Sequence, residues 1–243
     1  QANFVPDALG ALRVCDGAVL VINASKGIQA ITERAWSWFK ELDVPVILAL
    51  NRMDMDEARF FEHLGVLQDR FGRGVVPVNL PLGMGAKFAG NINLISMKAF
   101  RYPADGSGKS VEEAIPADQL DRAKGYRQKL EELACEMDDT LMEHYFSTGD
   151  LTQEEFIKGV HDGVKARRIF PVLTGSGEKN IGTRHVLNRI VEFIPSPAEQ
   201  PTHAHDRASG HEIRIEADPK GTPALFVFKT ISDPFTGRLS VFK

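Results

Sequence analysis

The sequence of 243 residues predicts an α/β fold: a parallel sheet, an inserted α+β lobe, and then the opening strands of a β-domain. Three observations favour this fold. Patterns of buried strands alternate with helical patterns, a stretch rich in glycine and proline interrupts them, and alternating strand patterns end the chain. Strands that are joined through helices are expected to lie parallel, because the helix returns the chain to the end of the sheet where the previous strand began.

The first unit is expected at residues 1–72 and contains two strand–helix pairs. Residues 18–24, AVLVINA, form an apolar and β-branched run that predicts a strand buried on both faces. Apolar residues at helical spacing predict a helix over 31–42. A second buried strand is predicted at 44–50, VPVILAL, and a second helix at 55–71.

The second unit, residues 73–168, is predicted to be an inserted lobe. It contains two strand patterns, at residues 75–80 and 92–100, and one long helical pattern at residues 117–146. A capping box at residues 152–155 starts another helix.

The sheet is expected to resume at residues 169–197, with a third buried strand at 169–173 and a helix at 186–193. Residues 198–243 are predicted to be a polar linker, AEQPTHAHDRASG, followed by antiparallel strands.

The composition is that of a soluble, reduced and cytoplasmic protein. The chain is 43% hydrophobic and 26% charged, and its net charge of −4 provides no global basic field to attract nucleic acid. The two cysteines, Cys15 and Cys135, have no ligand spacing and predict no disulfide scaffold. No apolar run approaches the length of a membrane span, so we expect no membrane partner.

The predicted second strand ends abruptly in Asn51-Arg52-Met53-Asp54, where a ligand would bind in an open parallel sheet. The carboxylate of Asp54 accepts hydrogen bonds only, so it matches the N1–H and N2 donors of guanine and has no such pair on adenine. Asn51 is expected to bind a ring nitrogen or to hold a neighbouring loop, and Arg52 to lie on the purine face. The plainer alternative is a helix N-terminus capped by Asp54 or Asp56.

A second strand end carries small residues, Thr174-Gly175-Ser176-Gly177. Their backbone N–H groups are expected to reach a carbonyl such as guanine O6. The two loops together therefore favour a guanine site.

These motifs resemble those of translational GTPases. NRMD, residues 51–54, resembles the N-K-x-D guanine motif, and TGSG resembles the second base-contacting loop, usually G-S-A. Longer stretches resemble bacterial elongation factor G: LRVCDGAVLVINASKGIQAITERAW, PVNLPLGMGAKFAGNINLISMKAF, IPADQLDRAKGYRQKLEELACEMDDTLMEHYF and ISDPFTGRLSVF. The resemblance implies a partial P-loop GTPase-type sheet with an inserted G′ lobe, followed by the start of the β-barrel of domain II.

The resemblance assigns roles to five residues. It places Asn51 and Asp54 on guanine, Arg52 where a stacking lysine is usual, and Ser176 and Gly177 at O6, with Gly177 in place of the usual alanine. It implies GTP or GDP as ligand and the ribosome as partner, with a full-length protein that is monomeric.

The family's phosphate-binding P-loop, its magnesium-binding threonine and its D-x-x-G motif all precede the matched segment. Mg²⁺ is therefore implied by the family, but its ligands are not expected in this chain. Gln1 aligns with the histidine that positions the attacking water, a weak catalytic assignment. We expect the chain alone not to hydrolyse GTP, and we expect it to have an unpaired sheet edge that favours association.

Two motifs are expected to be decoys. Residues 105–110, DGSGKS, end like a P-loop but lack its first glycine and the strand before it, so a solvent loop is predicted. His203, His205 and His211 lie in the predicted linker and are not expected to bind a metal.

Three functions remain open. The first is GTP-driven translocation on the ribosome by an elongation factor G type GTPase. The second is a related ribosomal protection or release-type GTPase. The third is a ribosome-binding paralogue with degraded nucleotide chemistry.

Overall fold

A computed structural model describes residues 4–200 and 202–243. Its main sheet has four parallel strands, which lie across the sheet in the order β1 (Ala18–Asn23), β2 (Val46–Asn51), β8 (Phe170–Thr174) and β3 (Val75–Pro77). The predicted α/β class with a parallel sheet is confirmed. β3 lies within the range that was predicted for the inserted lobe, yet it pairs with β8 in the main sheet.

Helices cover both faces of the main sheet. Four of them lie outside the predicted insertion: α1 (Val5–Leu12), α2 (Ala30–Glu41), α3 (Phe60–Phe71) and α7 (Thr183–Phe193). Three lie within it: α4 (Ala117–Cys135), α5 (Asp139–Thr148) and α6 (Gln153–Lys165).

Strand β2 is buried on both faces, which explains its continuous apolar sequence. Its side chains alternate between two hydrophobic clusters. Leu48 belongs to a cluster that contains Trp36 and Phe60, whereas Ile47 belongs to one that contains Phe156. The end of β2 is therefore held rigidly from both sides.

The inserted lobe contains an antiparallel sheet whose strands are neighbours in chain order. They are β4 (Asn79–Leu82), β5 (Gly90–Asn93), β6 (Lys98–Arg101) and β7 (Val111–Glu113). The single strand predicted at 92–100 is wrong, because the chain turns at Met97, whose φ is 50°.

Three other predictions of elements need correction. The helix predicted at 117–146 is two helices, because Asp138 accepts a hydrogen bond from the Thr140 N–H and starts α5. Helix α3 begins at Phe60 and not at residue 55, because the segment before it turns, with the Met55 N–H bonded to the Arg52 carbonyl at 3.2 Å. Strand β1 is not buried on both faces: it pairs only with β2 among the described strands, and Val21 is 61% exposed.

The last part of the described chain consists of two antiparallel hairpins. Strands β9 (Thr202–His205) and β10 (Glu212–Ile215) form the first, and β11 (Val227–Asp233) and β12 (Gly237–Phe242) form the second. The segment predicted as a linker thus contributes strand β9. The predicted domain boundaries remain predictions. Within residues 4–200 and 202–243, no helix combines the length and the apolar character that crossing a membrane requires.

Candidate functional site

The two predicted loops lie side by side at the carboxyl ends of β2 and β8. The parallel register pairs Leu50 with Thr174, so the chain leaves both strands at the same level. The Gly175 N–H donates to the Leu50 carbonyl at 3.0 Å, and the Met53 N–H donates to the Gly175 carbonyl at 3.2 Å. Backbone hydrogen bonds therefore join residues 51–54 directly to residues 174–177.

Asn51 holds the neighbouring loop. Its Oδ1 accepts a hydrogen bond from the Gly177 N–H at 2.9 Å. Of the two roles that the sequence left open for Asn51, the structure shows the loop contact.

Asp54 presents a carboxylate with an unused acceptor. Its Oδ1 is buried and accepts no hydrogen bond from any described residue. The residue that caps α3 is Arg59, which makes no side-chain capping bond, so neither Asp54 nor Asp56 caps this helix. A buried carboxylate oxygen without a partner is costly, and a hydrogen-bond donor from a ligand would relieve that cost.

Arg52 lies between these two residues in a left-handed backbone conformation with a φ of 64°. This conformation is unfavourable for residues other than glycine, and here it turns the chain sharply after β2. The Arg52 side chain is exposed, as a group that stacks on a ligand must be.

Ser176 and Gly177 differ in what their backbones can offer. Ser176 is buried, and it exchanges two backbone hydrogen bonds with Ile181, each of 2.9 Å. Its Oγ accepts the Lys179 N–H at 3.2 Å. The Ser176 N–H is therefore committed to the fold of the loop. The Gly177 N–H is also bonded, since it donates to Asn51 Oδ1 at 2.9 Å, but residue 177 is exposed, so of these two donors it is the one for which a ligand carbonyl can compete.

Two residues of the site were missed from the sequence, Asn79 and Asn91, and both bond to Thr174 of the predicted loop. The Thr174 N–H donates to Asn79 Oδ1 at 2.8 Å, and Thr174 Oγ1 donates to Asn91 Oδ1 at 2.7 Å. All three side chains are buried. The signal in the sequence was asparagine within two short, apolar strand patterns, one in VPVNLPL and two in GNINLI.

Three other predictions concern residues outside these two loops. Gln1, the weak catalytic assignment, lies outside the described residues. Residues 105–110 form an exposed loop between the antiparallel strands β6 and β7, without the strand–helix context of a phosphate loop. In the described part of the chain, no group of three His, Cys, Asp or Glu side chains is placed to hold a metal ion.

Residues 1–196 match the family described as the elongation factor Tu GTP binding domain. The chain belongs to this family. The predicted resemblance to translational GTPases and elongation factor G is confirmed.

Relatives of this GTP-binding domain match the whole chain. Two proteins from two strains of Ureaplasma parvum serovar 3, both named elongation factor G, are each 34% identical to it over 243 residues, which is 100% of this chain and 35% of theirs. A crystal structure of a protein from Thermus thermophilus superposes with a TM-score of 0.81 at 29% identity, and it covers 100% of this chain and 34% of that one. The chain thus spans about a third of the length of these relatives.

Proposed function

We propose that this domain recognises the guanine base of GTP and GDP through Asp54. The observation that carries the proposal is the buried, unpartnered Oδ1 of Asp54, beside a loop whose exposed N–H belongs to Gly177. Family membership supplies the nucleotide, and these two groups supply the choice of base.

The energetics favour guanine strongly. The Asp54 carboxylate accepts from N1–H and from the N2 amine, and each hydrogen bond to a charged group contributes roughly 1.5–3 kcal/mol. Adenine offers no such pair, so it would lose about 3–6 kcal/mol, which is on the order of 10² to 10⁴ in affinity.

The remaining residues hold this arrangement in place or complete it. Asn51 positions Gly177 by accepting its N–H, which guanine O6 shares when the base binds, and Ser176 fixes the loop through its bonds to Ile181. Arg52 lies over the purine face, where its planar guanidinium can stack.

For the full-length protein we propose GTP hydrolysis that drives translocation on the ribosome, carried out by a cytoplasmic monomer. Similarity to proteins named elongation factor G supports this proposal. We infer the Mg²⁺ requirement of the full-length protein from its family alone. We assign hydrolysis to the full-length protein and not to this chain by itself.

Competition binding tests the choice of base. In the full-length protein, unlabelled GDP, IDP and ADP are each titrated against a bound fluorescent GDP analogue, and the displacement of the analogue is measured. IDP lacks the N2 amine and is expected to bind on the order of 10- to 100-fold more weakly than GDP, with ADP weaker still. If ADP competes as well as GDP, the proposed function is wrong and a ribosome-binding paralogue with degraded nucleotide chemistry is favoured.

A further inference from the structure

The inserted lobe contacts residues 174–182, which we call the base loop, through two buried asparagines. Asn79 is the first residue of β4, and Asn91 lies on β5. Both are almost fully buried, at 4% and 1% exposed, and both bond to Thr174, the last residue before Gly175.

The Asn79 side chain supplies a hydrogen-bond acceptor to β8 beyond the point where its neighbouring strand β3 ends. Strand β3 pairs with β8 only as far as Pro77, opposite Val172, and the Val78 N–H then donates to the Val172 carbonyl at 3.0 Å. Beyond that point the chain leaves the main sheet. The next outward N–H of β8, that of Thr174, donates instead to Asn79 Oδ1 at 2.8 Å. Without Asn79 this buried N–H would have no partner at the point where the base loop begins.

Asn91 supports both ends of the same loop. At the start of the loop it accepts the Thr174 hydroxyl proton at 2.7 Å. At the far end Gly182 has a φ of 80°, and a Cβ there would lie 2.6 Å from Asn91 Nδ2 and 2.9 Å from the Thr174 carbonyl oxygen. The Asn91 amide therefore fills the space between the two ends of the loop.

We infer that Asn79 and Asn91 are positioning residues that hold the Gly177 N–H at the guanine carbonyl. This inference rests on the proposed function and extends it, because it makes the inserted lobe part of base recognition. Asp54 lies on the other loop and makes no hydrogen bond to either asparagine. Although backbone hydrogen bonds join the two loops, we therefore expect loss of an asparagine to impair recognition of O6 more than recognition of N1–H and the N2 amine.

Three variants of the full-length protein test this separation: Asn79→Ala, Asn91→Ala and the control Asn93→Ala. Asn93 is also a buried asparagine of β5, but its Oδ1 accepts from the Ile95 N–H at 2.9 Å, within its own turn. Each variant is titrated with GDP, with 6-thio-GDP, whose sulfur is a weaker acceptor than O6, and with IDP. Melting temperatures are measured in parallel.

The first two variants are expected to bind GDP roughly 5- to 30-fold more weakly. Wild type is expected to prefer GDP to 6-thio-GDP by about tenfold, and this preference should fall toward one in both variants. The preference for GDP over IDP should stay unchanged, because it reports Asp54. Asn93→Ala should keep both preferences.

A merely structural role would lower the melting temperature and leave both preferences intact, and that result overturns the inference. If either asparagine variant fails to fold, Thr174→Val and Thr174→Ser test the inference instead. The valine variant should lose the preference for GDP over 6-thio-GDP, and the serine variant should keep it. Wild type that does not select GDP over ADP contradicts the proposed function and the inference with it. If wild type selects guanine and the asparagine variants have the same nucleotide preferences as wild type, the inference is contradicted and the proposed function is not.

Discussion

Two glycines of the base loop have opposite requirements. A Cβ at Gly177 would meet the Asn51 side chain at 3.7 Å, an ordinary contact, and the φ of this residue is not positive. Gly182 has a φ of 80° and no room for a Cβ beside Asn91. Glycine is therefore required at Gly182 and only tolerated at Gly177.

We expect Gly177→Ala to bind GDP as tightly as wild type and to gain about 0.4–1 kcal/mol in stability, because alanine restricts the unfolded chain. Gly182→Ala should lose at least ~1–2 kcal/mol from its left-handed backbone alone, and it should weaken GDP binding by displacing the loop. Thermal unfolding and GDP titration of the two full-length variants measure both effects. Equal behaviour of the two variants would contradict this account of the loop.

The sequence predicted some residues of the site because their signal was local. Asn51 and Asp54 interrupt a long apolar run, so a polar function at the strand end was evident. Asn79 and Asn91 gave a weaker signal, since an asparagine in a short segment rich in glycine and proline is also typical of a turn. Their partner, Thr174, lies 95 and 83 residues away along the chain, and sequence patterns do not report such a distance.

At the scale of whole elements, the burial of a strand depends on how many strands lie beside it, and composition does not reveal that number. Strands β1 and β2 have similar apolar sequences, yet β2 lies between two strands and β1 has one described neighbour. Val21 is therefore exposed, although the pattern around it predicted a buried strand. The break between α4 and α5 was missed for another reason: the helical spacing of apolar residues continues across the break, and only the cap at Asp138 marks it.

Helix α4 carries a buried carboxylate that is sensitive to pH. Glu131 is 5% exposed and pairs with Arg127 at 2.7 Å. Burial raises the pKa of Glu131 to about 7; Arg127 opposes this rise, and the Asp150 carboxylate adds to it. Burial raises the pKa of Cys135 and of Tyr145, and the charge of Glu131 adds to each rise.

Because the folded pKa of Glu131 lies above its unfolded value, its contribution to stability is complete below about pH 4.5 and is lost as pH rises through about 7. We expect Glu131→Gln to gain melting temperature relative to wild type between pH 5.5 and pH 8.5. The gain should correspond to at most roughly 3 kcal/mol. Glu132→Gln, at the exposed neighbouring position, is the control and should follow wild type. Parallel curves for Glu131→Gln and wild type would show that burial of this carboxylate has no such effect.

In the molecule as a whole, the inserted lobe and the main sheet meet at the proposed base site. The sequence predicted a parallel sheet and an insertion, because periodicity and glycine content change clearly along the chain. It did not predict that strands of the insertion would support the loop after β8. Packing between units that are distant in sequence decides this feature. We propose that base selection depends on both units.

Exchange of base preference tests the central claim most directly. Replacing Asp54 by asparagine in the full-length protein turns an acceptor-only group into one that also donates, and this change matches the altered edge of xanthine. Competition titrations should show GDP binding weakened on the order of 10²- to 10⁴-fold and XDP binding strengthened. An Asp54→Asn protein that still prefers GDP would remove Asp54 from the base site and contradict the account.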